Sequence, residues 1–131
     1  MDKPSEQISG FLDFLRECNM AYRIALANEE EANQKIQDLL HTLELDSPGY
    51  HDGAKLARMI ASVRKDRRAA KDEIVKLQAI ISWIELYDKT IHSLEKLLGE
   101  VRKAEKSTEG RTYTPRTDVV KRALGGDGDG R

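Results

Sequence analysis

Apolar residues recur at alternating steps of three and four along the first 45 residues of the chain. Because an α-helix completes a turn every 3.6 residues, this spacing places them on one helical face. The pattern predicts one amphipathic helix from about Ser5 to Leu45, with a single charged exception at Glu29. We call this set the first seam, and it comprises Ile8, Phe11, Leu15, Cys18, Tyr22, Ala25, Glu29, Ala32, Ile36, Leu39 and Leu43.

The same spacing continues in a second stretch, from about Asp52 to Lys106. Between the two stretches, Asp46-Ser47-Pro48-Gly49 ends the first helix, because proline lacks an amide hydrogen and glycine tolerates a positive φ. Beyond Tyr87 the apolar residues drift around the helix, so a break or a change of packing partner is expected near Asp88. The second seam comprises Ile60, Val63, Arg67, Ala70, Ile74, Leu77, Ile81, Ile84, Asp88, Ile91, Glu95 and Leu98.

Two long helices joined by a tight turn predict an antiparallel hairpin. Residues equidistant from the turn should lie side by side, because both helices rise equally per residue. With Pro48 as the midpoint, Glu29 and Arg67 are at equal distances from it. We therefore predict a partly buried Glu29–Arg67 ion pair. Such a pair would fix the register, since a slipped register leaves each charge against apolar neighbours.

The predicted fold is all-α: a long, coiled-coil-like helical hairpin over 1–106, followed by a C-terminal segment over 107–131. Two helices cannot enclose a core, and flanking apolar residues such as Phe14 and Leu26 lie outside the seams. Either the second helix breaks and folds back, or other subunits cover the surplus. We favour the second alternative, a dimer or larger bundle.

The C-terminal segment differs in composition from the hairpin. Thr117 and Asp118 could cap one short helix. The glycine and aspartate residues of 125–131 predict a disordered tail.

Composition excludes several classes of protein. A length of 131 residues fits one domain, and 22 basic residues nearly cancel 23 acidic ones, so no global field attracts polyanions. No stretch approaches the roughly 20 apolar residues of a membrane span, and no secretory signal is expected. A lone cysteine, Cys18, argues against a disulfide framework and a Cys-only zinc site. We therefore expect a cytoplasmic protein.

Catalytic chemistry is not expected from this sequence. The three histidines, His41, His51 and His92, are scattered, and no glycine-rich phosphate loop occurs. We predict a protein that is not an enzyme and that holds no metal or cofactor.

The aromatic residues concentrate at one level of the predicted hairpin. Counting from the turn brings Phe11, Phe14, Trp83 and Tyr87 together near its open end. We expect them to form core or a contact between subunits. The alternative is a stacking platform for a base.

Two clusters could bind a phosphorylated ligand. The first is Arg64, Lys65, Arg68 and Lys71 on the second helix. The second is Arg111, Tyr113 and Arg116, in which a ring between two guanidinium groups could stack a base and pair a phosphate. The alternatives are that the first cluster is neutralised by the acidic block of the first helix and that the second is a solvated linker.

Two stretches resemble a helical-hairpin pattern found in small bacteriophage proteins. They are Leu39-Leu40-His41-Thr42-Leu43-Glu44-Leu45 before the turn, and Arg64, Arg67-Arg68 and Lys71-Asp72-Glu73-Ile74 after it. Over about residues 34–77 the chain is similar to the N-terminal helical part of the Thoeris anti-defence proteins. The resemblance implies an oligomer that sequesters a cyclic nucleotide immune signal without cleaving it. That family also has a β-rich C-terminal portion, where this sequence predicts a further helix and a short tail, so its ligand pocket is not carried over.

The expected function is that of a non-enzymatic phage-type binding protein that counters host antiviral defence. It would act in the host cytoplasm if phage-encoded, bind further copies of itself and sequester a cyclic nucleotide. One alternative is an inhibitor or adaptor that binds a host defence protein through the hairpin. A nucleic-acid-binding module using the 58–71 stretch is the least favoured alternative.

Overall fold

The computed structural model describes residues 3–46, 49–109 and 124. This part of the chain contains three helices, α1 (Pro4–Asp46), α2 (Tyr50–Leu86) and α3 (Asp88–Thr108). It contains no strand, so the predicted all-α fold is confirmed. α1 packs mainly against α2, as expected of a helical hairpin. The first helix extends one residue beyond its predicted bounds at each end.

The first seam forms most of the contact face of α1. Alanines occupy the middle of this interface, where Ala25 and Ala32 of α1 and Ala70 of α2 are all buried. Because interhelical distance depends on the size of the side chains at the contact, alanines favour a close approach of the two helices. The other buried seam residues are Leu15, Cys18, Ile36, Ile60, Ile81 and Leu98.

Gly49 in the turn does not adopt the positive φ that glycine tolerates. Gly49 precedes α2 with φ −62° and ψ 169°, which is ordinary extended backbone. Its carbonyl accepts the first hydrogen bond of α2, from the Gly53 amide at 2.8 Å.

The second predicted helix is interrupted at Tyr87, so of the two alternatives for this region, a break or a change of packing partner, the structure shows a break. Tyr87 has φ −111° and ψ 33°, while its amide still donates to the Trp83 carbonyl at 2.9 Å. A straight continuation of the seam would press the Asp88 carboxylate against α1. The break leaves Asp88 and the other charged seam position, Glu95, exposed instead. Both were expected in the seam, and Leu94 is more buried than either.

α3 lies against the N-terminal end of α1. The Ser5 amide donates to a Glu105 carboxylate oxygen at 3.1 Å, and Lys3 Nζ lies 3.7 Å from Glu109 Oε1. Leu98 is the one buried residue of α3. The buried face of α1 widens here to include Leu12, which is only 2% exposed and which seam spacing did not predict.

The chain changes direction at the break. Trp83 packs on Phe11, and Glu105 contacts Ser5. The long stretch of chain from Trp83 to Glu105 therefore runs alongside a much shorter stretch of α1, from Phe11 back to Ser5. Two antiparallel helices in line would advance equally. α3 therefore lies obliquely to the line of α2.

The predicted ion pair between Glu29 and Arg67 is not formed. Arg67 Nη1 instead donates to Asn33 Oδ1 at 3.3 Å, and no ion pair among the described residues involves Glu29. The cause is the direction of helical side chains, which lean toward the N-terminus of their own helix. Arg67 leans toward the turn and reaches Asn33, whereas Glu29 leans away from it.

The predicted short helix capped by Thr117 and Asp118 and the predicted tail at 125–131 lie, except for Leu124, outside the described residues. Within the described residues, no helix is both long enough and apolar enough to span a bilayer.

Candidate interaction surfaces

The four aromatic residues predicted to meet do so at the end of the hairpin away from the turn. Ring centroids are 6.5 Å apart for Phe11–Phe14, 6.4 Å for Phe11–Trp83 and 5.3 Å for Trp83–Tyr87. The four side chains are 37–46% exposed, so they are not core. We call Phe11, Phe14, Trp83 and Tyr87 the aromatic patch.

An apolar depression of about 270 Å³ opens within this patch. Ala79 and Ile80 of α2 line it together with Leu15 and three of the aromatic rings. Its lining residues carry no charge. The depression is therefore suited to an apolar side chain rather than to a charged ligand.

A longer groove of about 600 Å³ runs between α1 and α2 in the middle of the hairpin. Ala25, Ala32 and Ala70, which are buried at the helix contact, are among its lining residues. Three carboxylates line it, those of Glu31, Asp66 and Glu73, with Lys35 as the one basic residue. The Lys35 ammonium lies 3.2 Å from Glu31, which leaves Asp66 and Glu73 without a basic partner in the described part of the chain. We call this feature the acidic groove.

The first predicted phosphate-binding cluster lies along an exposed side of α2. Its members Arg64, Lys65, Arg68 and Lys71 line one shallow depression of about 380 Å³ together with Arg67 and Asp72. All four are exposed. Among residues 3–46 and 49–109, none of the four forms an ion pair or a side-chain hydrogen bond. We call these four residues the basic stripe.

The second predicted cluster, Arg111, Tyr113 and Arg116, lies outside the described residues. The structure therefore does not bring it together with the basic stripe or separate it from that stripe.

Glu105 of α3 accepts a hydrogen bond from the first turn of α1, although the two are distant in sequence. Its carboxylate accepts a hydrogen bond from the Ser5 amide, one of the helix-terminal amides that have no partner within the helix. Hydrogen bonding from Ser5 lowers the pKa of Glu105, and the nearby charges of Lys3 and Arg102 act in the same direction. No local sequence pattern could reveal this contact, because the two residues are 100 positions apart.

No group of three or more histidine, cysteine, aspartate or glutamate side chains in the described residues is placed to hold a metal ion.

The described part of the chain is an all-α hairpin with one apolar and two charged surfaces. No protein-family model matches the chain, and comparison with curated proteins and with solved structures found no match.

Proposed function

We propose that this protein is a non-enzymatic interaction protein that works as a homo-oligomer of helical hairpins and acts as an adaptor or inhibitor of other proteins. The observation that carries the proposal is the aromatic patch. Aromatic side chains are enriched where proteins bind one another, because each buries a large apolar area at little cost in side-chain entropy. A half-exposed group of four around an apolar depression fits that role.

The balance of buried and exposed apolar side chains supports the proposal. Among the described residues, ten hydrophobic side chains are buried, whereas fifteen large ones are exposed, and no large side chain is fully buried. Single exposed hydrophobic residues are normal, but contiguous patches mark interaction sites. A single hairpin therefore leaves much of its apolar surface uncovered.

The size of one hairpin face supports a second copy as the occupant. α2 has 37 residues and is about 55 Å long. Two packed helices present a face about 20 Å wide, since their axes lie about 8–10 Å apart. The resulting area of roughly 1,000 Å² exceeds the approximately 800 Å² that each partner buries in a stable complex.

The test is to measure the mass of the protein in solution by light scattering over a range of concentrations. We expect a mass above the 14.8 kDa of one chain for the natural sequence. Phe14→Asp should raise the concentration needed for assembly by at least tenfold, because it places a charge in the apolar contact. Met20→Asp is the matched control, since Met20 is an exposed apolar residue on the same helix outside the patch.

Trp83 gives a second readout, because it is the only tryptophan of the chain. Its fluorescence should shift to longer wavelength on dilution, as the patch becomes exposed to water. A protein that keeps the mass of a single chain at every concentration, with unchanged Trp83 emission, would contradict the assembly proposal.

A second candidate function is the capture of a phosphorylated ligand, and the exposed basic stripe is the observation that favours it. Guanidinium groups bind phosphate through two parallel hydrogen bonds, and this stripe has no ion-pair partner in the described residues. Together with the resemblance to anti-defence proteins, it supports a phage protein that sequesters a cyclic nucleotide signal of host defence.

Calorimetry against a panel of cyclic and linear nucleotides tests this second function. We expect one class to bind, to be recovered intact after the complex is heated, and to bind at least tenfold more weakly to Arg68→Ala. Lys96→Ala, an exposed lysine on α3, is the control. The sequestration proposal fails if no nucleotide binds, or if binding is indifferent to loss of Arg64 and Arg68 together.

A further inference from the structure

α2 carries two charged stripes of opposite sign at the same level. Asp66, Ala69 and Glu73 follow helical spacing and line the acidic groove. Arg64, Arg68 and Lys71 also follow helical spacing, and Arg64 and Lys71 lie two residues before Asp66 and Glu73. A two-residue offset corresponds to about 200° around a helix, so Arg64, Arg68 and Lys71 lie on nearly the opposite side of α2 from the carboxylates. Lys65, the remaining member of the basic stripe, lies between the two rows.

These charges do not pair with one another within residues 3–46 and 49–109. In the part that the structure describes, Asp66 and Glu73 form no ion pair, and neither does any member of the basic stripe. Two exposed rows of opposite charge on opposite sides of one element have a natural complement in each other. They can meet only between two copies of the chain.

Apolar residues continue both stripes toward the open end of the hairpin. The groove side continues to Ile80 and to Trp83, which belongs to the aromatic patch. The basic side continues at helical spacing to Val75 and Leu86, which are 74% and 75% exposed. Leu86 is level with the aromatic patch, because it lies between Trp83 and Tyr87 along the same helix region.

We propose that copies of this protein stack side by side in the same orientation, with the acidic groove of one hairpin receiving the basic stripe of the next. A sideways translation without rotation keeps every residue at its own level. It therefore brings the carboxylates to the cations and the aromatic patch to Leu86 in one operation. This inference rests on the assembly proposed above and names the surfaces that carry it.

The contact is heterologous, because the groove and the stripe are different surfaces of the same chain. Because the copies are related by translation without rotation, the contact cannot close into a ring and continues as an open fibre. The assembly therefore contains more than two copies. A symmetric dimer through the aromatic patch alone is the competing arrangement.

Charge reversal on each side separates the two arrangements. One variant carries Arg64→Glu with Arg68→Glu, and the other carries Asp66→Lys with Glu73→Lys. In each variant alone, two side chains on one side of the contact change sign and face like charges, so we expect the mass of a single chain where the natural sequence assembles. An equal mixture of the two variants restores opposite charges and should recover the mass of the natural assembly.

Two controls keep this experiment interpretable. Circular dichroism should show unchanged helical content, since all the substituted side chains are at least partly exposed. If one reversal variant loses helix, Arg64→Gln with Arg68→Gln or Asp66→Asn with Glu73→Gln replaces it, with partial loss of assembly expected. Lys89→Glu with Lys96→Glu on α3 changes charge by the same amount away from the contact and should leave the mass unchanged.

The outcomes distinguish a failure of the stacking proposal from a failure of the assembly proposal. If the natural sequence assembles and the reversal variants assemble equally well, stacking is wrong while the assembly proposal stands. A natural mass of two chains, or a mixture that fails to assemble, also overturns stacking. A natural sequence that keeps the mass of one chain overturns both. Loss of nucleotide binding in the arginine variant without any change of mass assigns the stripe to a ligand instead.

Discussion

The observed partner of Arg67 differs from the partner that counting residues from the turn predicted. Counting from the turn placed it level with Glu29, and its observed partner, Asn33, is one helical turn nearer the turn of the hairpin. Tyr22 and Gln78 show the same displacement, with their side chains 3.0 Å apart. The level of a residue follows from helical rise alone. The partner depends also on the lean and length of each side chain, which counting ignores.

Glu105 was beyond prediction for a different reason. Helix N-termini usually find a partner for their first amides in a neighbouring residue. Here the partner of the Ser5 amide comes from another helix, so its identity depends on where α3 lies. That placement follows from the break at Tyr87, whose angle the sequence pattern does not specify.

The Glu105 contact predicts a pH dependence of stability. Hydrogen bonding lowers the pKa of Glu105 from its usual value of 4.5, so the folded state favours the ionised form. The contribution is present above pH 4.5 and is lost as the pH falls through the lowered pKa. Glu105→Gln should therefore melt below the natural sequence at pH 7, and the difference should shrink as the pH falls through that range.

Thermal melting followed by circular dichroism over pH 2–8 is the measurement. Glu100→Gln is the matched control, because Glu100 is an exposed carboxylate on α3 without this contact. A Glu105→Gln melting temperature that tracks the natural sequence at every pH would show that the contact does not contribute.

At the scale of elements, the alanines of the seam set how α1 and α2 meet. Ala25 and Ala70 lie at the same level on the two helices and are both buried. Their size determines the depth of the acidic groove beside them. The seam spacing identified these positions, but the groove between the helices depends on both cross-sections together and was not predicted.

Ala25→Leu should destabilise the protein by about 1–3 kcal/mol, because a larger side chain forces the closely packed helices apart. Urea unfolding at fixed protein concentration is the measurement, with the midpoint lowered and the slope unchanged. Ala27→Leu on the exposed side of α1 should change stability by no more than about 0.5 kcal/mol. Equal losses in the two variants would mean that Ala25 is not tightly packed.

The break at Tyr87 was predictable as an event but not in its outcome. The drift of apolar residues beyond Tyr87 indicated either a break or a change of packing partner. The structure shows that α3 then packs on α1 through Leu98 and the polar contacts near Ser5. The sequence offered this and coverage by other subunits as alternatives. The two are compatible, because α3 covers only the N-terminal end of α1.

At the scale of the whole molecule, the hairpin was predictable because two strong periodic patterns flank one strong turn signal. The aromatic patch was predictable for the same reason, since its members needed only to share a level. Its exposure was not, because exposure depends on what else packs at that level. The acidic groove and its position relative to the basic stripe were not predictable, because both depend on how the two helices pack.

The cap on α1 has a consequence for how a ribosome delivers this protein. Ser5 is synthesised 100 residues before Glu105, so the Ser5 amide cannot reach this partner until α3 has been made. Pairing with α2 must begin beside the turn and travel back toward the start of the chain, because residues near the turn emerge closest together in time. The end that leaves the exit tunnel first is therefore the last to acquire its native contacts, and a prematurely terminated product would carry a frayed leading end.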